Sequence, residues 1–313
     1  MAAISITDLA SALGAEADVL ICSASFEHRC RTIPEHVDVA RVGEVLVFQN
    51  RGLGSIAASN AKEIRNRFGA KARSVHFQGG NPLAFADAAQ KALGALGEAG
   101  RRYLVDVSTF TRENLLILLS LLHQHRHKGD NVAIAYASAA EYMVNGEEWL
   151  SRGYGDVRSV LGYPGEMRPS LGEHLIVLVG FEGERAERLI RNYEPTMLAL
   201  GHCKEFAAIA PHFHRKNLEL HARLTQSWQR VGKFEFACDD PFAARDHILA
   251  EVGRYPDHNP IVAPMNTKLS TVGAALATYA EPRIQLCYVP AREYNQRSYS
   301  EPGQTCFLYE LPL

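Results

Sequence analysis

The sequence predicts an α/β protein built as two tandem units, each a mostly parallel sheet flanked by helices. Three observations carry this. Short apolar runs rich in β-branched residues alternate with stretches of helical period along the chain, the pattern of a parallel sheet covered on both faces. The alternation runs through five strands, stops near residue 145, and resumes near residue 173. Polar residues at the strand-to-helix joints recur in the same order in both halves. A chain of 313 residues accommodates two domains of about 150 residues each.

In the first half the strand candidates are ADVLICSAS, EVLVFQN, ARSVHFQG, YLVDVST and NVAIAYAS, each bounded by turn-forming or polar residues. Between them SIAASNAKEIRNRFG, PLAFADAAQKALGALGEAG and TRENLLILLSLLHQHRHKG read as helices, with Gly100 and Gly129 as C-terminal stops of the last two. In the second half HLIVLVG, TMLALGH, KFEFAC, PIVAPM and RIQLCYV read as strands. The helices are RAERLIRNY, PHFHRKNLELHARLTQSW, PFAARDHILAEVG and KLSTVGAALATYA.

The joints match in residue identity. SFEHR (Ser25 to Arg29) parallels GFEGER (Gly180 to Arg185), with Phe26 and Phe181 155 positions apart. GNPLAFAD parallels DDPFAARD, with Pro82 and Pro241 159 apart and each suited to the first turn of a helix. TFTREN parallels MNTKLS (Thr111 and Thr267, 156 apart), and AYASAAEY parallels CYVPAREY (Tyr142 and Tyr294, 152 apart). Separations that drift by a few residues in unbroken order are what duplication followed by small loop insertions produces. The expected organisation is a first Rossmann-like unit over 1–145, a connector over 146–172 and a second Rossmann-like unit over 173–313. The connector is rich in Gly and Pro, but Trp149, Tyr154, Val160 and Leu161 imply that it packs.

Composition narrows the function classes. The chain is 47% hydrophobic and 22% charged, ordinary for a globular protein. Its richest apolar run, Leu115 to Leu122, is far shorter than the roughly 20 residues of a membrane span, and the N-terminus lacks the pattern of a secretory signal, so a cytoplasmic protein with no membrane partner is expected. A net charge of −2 gives no global attraction to nucleic acid. The six cysteines, Cys22, Cys30, Cys203, Cys238, Cys287 and Cys306, form no C-x-x-C pair, which argues against a zinc ribbon or disulfide framework. His123 and His127 stand at i and i+4 on a helical face, but at a helix C-terminus where histidines complement the dipole. His212 and His214 have no nearby cysteine or paired carboxylate, so no metal is expected. No G-x-G-x-x-G follows a strand, and there is no Walker A sequence and no G-x-S-x-G elbow, so no cofactor is implied. Cys22 and Ser25 end the first strand with His28 nearby, but Val177 and Gly180 replace the first two in the second half and no third orienting group can be named.

Ligands of open α/β sheets bind outside the carboxyl ends of the strands, where helix N-termini present unpaired N–H groups. The repeated motifs fall there. The ligand-binding candidates of the first unit are Ser25, Phe26, Glu27, Arg29, Thr109, Thr111, Arg112 and Tyr142; those of the second are Phe181, Glu182, Arg185, Asn266, Thr267, Lys268 and Tyr294. A cation with hydroxyls at a helix start suits phosphate or another anion, although Thr109, Thr111 and Thr267 equally suit helix caps. Glu27 and Glu182 are readable as general bases, as adenine or ribose acceptors, or as ion-pair partners of Arg29 and Arg185; the last is the leading reading. No catalytic residue is assigned. The polar tail Asn295 to Gln304 reads as a binding or contact loop.

The turns SASFEHR and DVSTFTREN resemble those of the CRISPR-associated Rossmann-fold (CARF) sensors and related modules of bacterial defence systems, which keep small hydroxyl residues and a basic residue at these places. The resemblance covers most of the chain when both halves are counted. It implies a nucleotide signal bound by a pseudo-dimer within one chain, with a separate protein partner carrying the output activity. The alternative is an enzyme acting on a nucleotide or phosphorylated small molecule, with Glu27 as general base and Arg112 as anion clamp.

Overall fold

A computed structural model describes residues 3–13, 17–97, 100–142, 149–205 and 211–313. It divides into two compact units, Met1–Leu150 with Asn295–Leu313, and Ser151–Tyr294. Each is α/β, with a mostly parallel sheet and flanking helices.

In the first unit the short β1 (Ile4–Ser5) is followed by β2 (Ala17–Ala24), β3 (Val42–Asn50), β4 (Ala72–Phe77), β5 (Arg102–Asp106) and β6 (Asn131–Tyr142). From β2 to β6 the pairings are all parallel, in the order β4, β3, β2, β5, β6. The helices are the short α1 (Leu9–Ala12) and α2 (Thr32–His36), then α3 (Gly54–Phe68), α4 (Pro82–Gly94) and α5 (Arg112–Gln124). Leu20 and Cys22 of β2, Val45 and Val47 of β3, and Ala61, Ile64 and Phe68 of α3 share one core. Val19 and Ile21 of β2 and Leu46 and Phe48 of β3, on the opposite face, are buried as well, which is why the central strands read as continuous apolar runs and not as alternating ones.

The second unit contains β7 (Ser151–Tyr154), β8 (Arg158–Ser159), β9 (Glu173–Leu178), β10 (Met197–Cys203), β11 (Val231–Phe236), β12 (Asn259–Pro264), β13 (Gln285–Tyr288) and β14 (Ala291–Tyr294). Its parallel strands run β11, β10, β9, β12, β13. The helices are α6 (Gly183–Tyr193), α7 (Pro211–Ser227), α8 (Pro241–Gly253) and α9 (Lys268–Ala280). Leu175 and Val177, Leu189 and Ile190, and Leu198 and Leu200 form its core. Counted within each unit, the parallel strands of both lie third, second, first, fourth, fifth.

The boundaries differ from the expected ones. The last strand of the chain, β15 (Ser300–Leu311), pairs antiparallel with β6 and with β1, so 295–313 belongs to the first unit. In the second unit β8 pairs antiparallel with β13 and β7 with β14, so the expected connector supplies two short strands to that unit. Residues 146–148 of that connector lie outside the described residues. The cause is backbone hydrogen bonding: each fifth strand offers an open edge whose N–H and C=O groups need partners. In each unit the satisfying segment is the one that follows the other unit's fifth strand in the chain.

Three local expectations are also corrected. The tail 295–304 is not a loop beyond Tyr299: Pro302-Gly303 is an irregularity within β15, where the register shifts. A Cβ on Gly303 would crowd Ser138 of β6. Helices α4 and α5 end at Gly94 and Gln124, before Gly100 and Gly129. Those two glycines serve the turns into β5 and β6, where a Cβ on Gly100 would strike the backbone of Lys128 and Gly129. His127 is therefore off the helix that carries His123. Among the described residues no His, Cys, Asp and Glu group could hold a metal, and no helix is long and apolar enough to cross a membrane.

Candidate ligand-binding edge

The carboxyl ends of β2 and β5, which lie side by side, form the topological switch point of the first unit. Asn60 of α3, buried, donates to Ser25 O at 2.8 Å and holds the chain as it leaves β2. Ser25 Oγ then accepts from Glu27 N at 3.4 Å. The turn delivers Arg29 into the interior, where it is 2% exposed. Its Nε donates to Glu27 Oε2 at 2.7 Å and its Nη1 to Ala137 O of β6 at 3.0 Å. Tyr136 and Tyr142 lie beneath the guanidinium, 5.8 and 5.9 Å from it. Ser300 Oγ of β15 donates to the same Glu27 oxygen at 2.6 Å, and Tyr299 packs edge-on to Phe26 at 5.5 Å. Burial works most strongly against charging Arg29, but Glu27 together with Tyr142 and Tyr136 outweighs it and the pKa is raised.

The fourth joint is also held by its own side chains. Thr109 Oγ1 donates to Ser23 O at 2.7 Å, tying β5's exit to β2. Thr111 Oγ accepts from Asn114 N and caps α5, so that Arg112 is its first residue. Phe110 is buried against Phe48 and Phe85. Asp106, the last residue of β5, is 1% exposed. Its Oδ1 accepts from Ser108 N at 3.0 Å while Oδ2 is without a hydrogen-bond partner, and burial pushes its pKa up to about 7. Burial also raises the thiols around it: Cys22, and Cys30 and Cys306 to about 12. A nucleophilic Cys22 gains nothing from such surroundings.

The second unit repeats the first joint. Arg185 pairs with Glu182, its Nε donates to Val289 O at 2.8 Å, and its guanidinium lies 5.2 Å from the Tyr288 ring. Ser151 Oγ of β7 donates to Glu182. Asn217 of α7 donates to Val179 O and Gly180 O at 2.7 and 3.2 Å, as Asn60 does to Ser25 O. Phe181 lies tilted against Phe213, ring centroids 5.9 Å apart, and Tyr294 pairs with Ser151 across β14 and β7. Thr267 caps α9 through Ser270 N at 3.1 Å, with Lys268 as first residue. Asn266 donates to Val179 O at 2.6 Å.

Two differences between the units have plain steric or chemical content. Gly180 stands where the first unit has Ser25, because a Cβ there would overlap the Met265 carbonyl. By sheet register Ala263, opposite Val177, takes the place next to the first strand that Asp106 takes in the first unit, so the buried carboxyl has no second copy.

The expected residues are thus gathered at one end of each sheet, but several are occupied. Glu27, Arg29, Glu182 and Arg185 are ion-paired, Thr111 and Thr267 cap helices, and Thr109 and Asn266 bridge strands. Asn60, Asn217, Ser151 and Asp106 were missing from the expected set, whereas Ser300 falls in the tail read as a contact segment. The two asparagines carried a readable signal, a buried amide on the apolar stripe of a helix 157 positions apart. Ser151 carried none, since the pairing of its strand with β14 depends on a distant part of the chain.

No protein-family model matches the chain, and no curated protein matches it. Solved structures that match the chain include the cytoplasmic domain of a prokaryotic cation chloride cotransporter, at 12% identity over 90% of this chain and 98% of that one, TM-score 0.28. A periplasmic ribose ABC transporter from Conexibacter woesei matches at 11% identity over 86% and 70%, TM-score 0.26. The mitomycin 7-O-methyltransferase matches at 9% identity over 45% of this chain, which spans 38% of that enzyme's length, TM-score 0.25. No reading of function rests on these likenesses.

Proposed function

We propose that this chain is a nucleotide- or anion-sensing or scaffolding component of a multi-protein system, arisen by duplication of one Rossmann-like unit. The CARF resemblance directs the reading to antiviral defence, with the output activity on a protein partner. The observation that carries it is the pair of matched, buried Glu–Arg anchors, Glu27–Arg29 and Glu182–Arg185, each tied to a serine and to a backbone carbonyl, Ala137 O in the fifth strand of the first unit and Val289 O just past the fifth strand of the second. A carboxylate so held is poorly placed to take up a proton during a reaction, whereas a fixed turn is what preorganised recognition needs. Arg112 and Lys268, at the first positions of α5 and α9, supply charge where helix N-termini favour anions.

One observation favours the enzyme reading. Asp106 is a buried carboxyl with an unpaired oxygen at the carboxyl end of a central strand, in one unit only, and perturbed carboxyls of this kind cluster at catalytic sites. A panel of nucleotides and cyclic oligonucleotides, read by thermal shift and by product formation, separates the two. Binding without turnover, lost in Arg112→Ala and Lys268→Ala, supports sensing. Turnover abolished by Asp106→Asn supports the enzyme, and neither binding nor turnover leaves the scaffold.

A further inference from the structure

The second and third joints of the two units are closed by different chemistry at the same place. In the first unit Asn50 ends β3 opposite Phe77, and its Oδ1 accepts from Gly79 N, two residues beyond, at 3.0 Å and from Gly52 N at 2.9 Å. A Cβ on Gly79 would point straight into the Asn50 amide. In the second unit Cys203 ends β10 opposite Phe236, and Cys238 stands two residues beyond. Their side chains form a disulfide with Cα atoms 5.7 Å apart. The bridge was not expected from the scattered cysteine spacing. It joins residues that are neighbours through strand pairing and 35 apart in the chain.

The two cysteines also reach the other joints. Cys203 N donates to Asn217 Oδ1 at 2.8 Å, and Asn217 holds Val179 O and Gly180 O at the first joint. Thr267, the cap of α9 at the fourth joint, donates its hydroxyl to Cys238 O. One covalent bond therefore sits among the hydrogen bonds that tie the first and fourth joints of the second unit to its second and third. The remaining cysteines, Cys22, Cys30, Cys287 and Cys306, are buried free thiols.

We propose that Cys203–Cys238 is a thiol–disulfide exchange site that switches the order of the second unit's carboxyl edge, while the Asn50–Gly79 closure leaves the first unit's edge insensitive to redox state. The electrons come from a dithiol. Its thiolate attacks one sulfur of the bridge, the Cys203–Cys238 bond breaks, and the displaced sulfur takes up a proton. The reductant's second thiol then closes its own disulfide and releases the other cysteine as a thiol. Oxidation by a disulfide runs the sequence backwards. Cys203 is 5% and Cys238 1% exposed, so attack falls on Cys203 and requires brief opening of the edge, which makes exchange slow. The proposal concerns order at the edge and does not depend on which ligand binds there.

The full chain is treated with oxidised glutathione or with dithiothreitol, its free thiols are counted by maleimide mass shift after denaturation, and amide hydrogen exchange is followed. Four thiols are expected in the oxidised protein and six in the reduced one. Exchange in 201–205, 236–240 and 266–270 is expected to quicken about tenfold or more on reduction, as local opening becomes easier, while 49–54 and 77–82 stay unchanged. The double variant Cys203→Asn with Cys238→Gly, which gives the second unit the first unit's closure, is expected to ignore the reductant. Six thiols under both conditions, or equal exchange in oxidised and reduced wild-type protein, overturns the proposal. The wild-type comparison decides even if the double variant does not fold.

Discussion

Ser300 donates a hydrogen bond of 2.6 Å to Glu27 across 273 residues of chain. It completes a buried cluster in which Glu27 is already paired with Arg29. The serine contributes one hydrogen bond to a charged acceptor, so Ser300→Ala is expected to destabilise the first unit by about 1.5–3 kcal/mol in urea unfolding.

Arg29 contributes on a different scale. Removing one partner of a buried ion pair leaves the other charge without compensation and costs about 3–5 kcal/mol, more than the pair itself adds over an apolar replacement. Arg29→Met is therefore expected to be severely destabilising, and Arg29→Met with Glu27→Leu much less so than the sum of the two single changes. A double-mutant cycle by urea unfolding measures this; strict additivity refutes the coupling.

The fold was legible because its determinants are local. Runs such as LIVLV and helix starts such as Asn81-Pro82 and Asp240-Pro241 carry their structure in adjacent residues, and both caps accept from the N–H groups two and three residues on. The domain boundary was not legible, because pairing of β15 with β6 and of β8 with β13 depends on which open edge a distant strand reaches. For the same reason Cys203 and Cys238 looked unrelated until β10 and β11 set them side by side. Among the candidate residues, type alone does not tell a ligand donor from a helix cap: Thr111 and Thr267 are caps.

Those caps give a prediction of modest size. Thr111→Ala and Thr267→Ala are each expected to cost about 1 kcal/mol, whereas serine at either position retains most of the stability. Thermal denaturation of the four variants tests the expectation, and Thr267→Ala is the costlier because its hydroxyl also binds Cys238 O.

Asp106 sets a pH dependence with a definite sign. Its pKa is raised by burial from 3.8 to about 7 in the folded chain, so between these values the folded state holds a proton that the unfolded state has released. Stability is full below the unfolded pKa and falls as pH rises toward 7, by at most roughly 4 kcal/mol at about 1.4 kcal/mol per unit. Asp106→Asn keeps an oxygen for Ser108 N and removes the ionisation. It is expected to be more stable than wild type at pH 8 and to lose the slope between pH 4 and 7. A slope that survives the substitution assigns the titration to another group.

Deleting 295–313 tests whether the first unit is completed by the end of the chain. Strand β15 supplies the antiparallel ladder to β6, pairs with β1, and buries Cys306 and Leu308 in the first unit's core. Without it β6 becomes an open edge, Glu27 loses Ser300, and apolar surface is uncovered. The truncated chain is expected to lose slow-exchanging amides in β2, β3, β5 and β6 while retaining those of β9, β10 and β12, whose unit lies within Ser151–Tyr294. Addition of a peptide spanning 295–313 is expected to restore the first set. Retention of protected β6 amides in the truncated chain, with no effect of the peptide, would show that the first unit folds without its borrowed strand. The ion pair of Glu27 and Arg29 would then stand independently of Ser300.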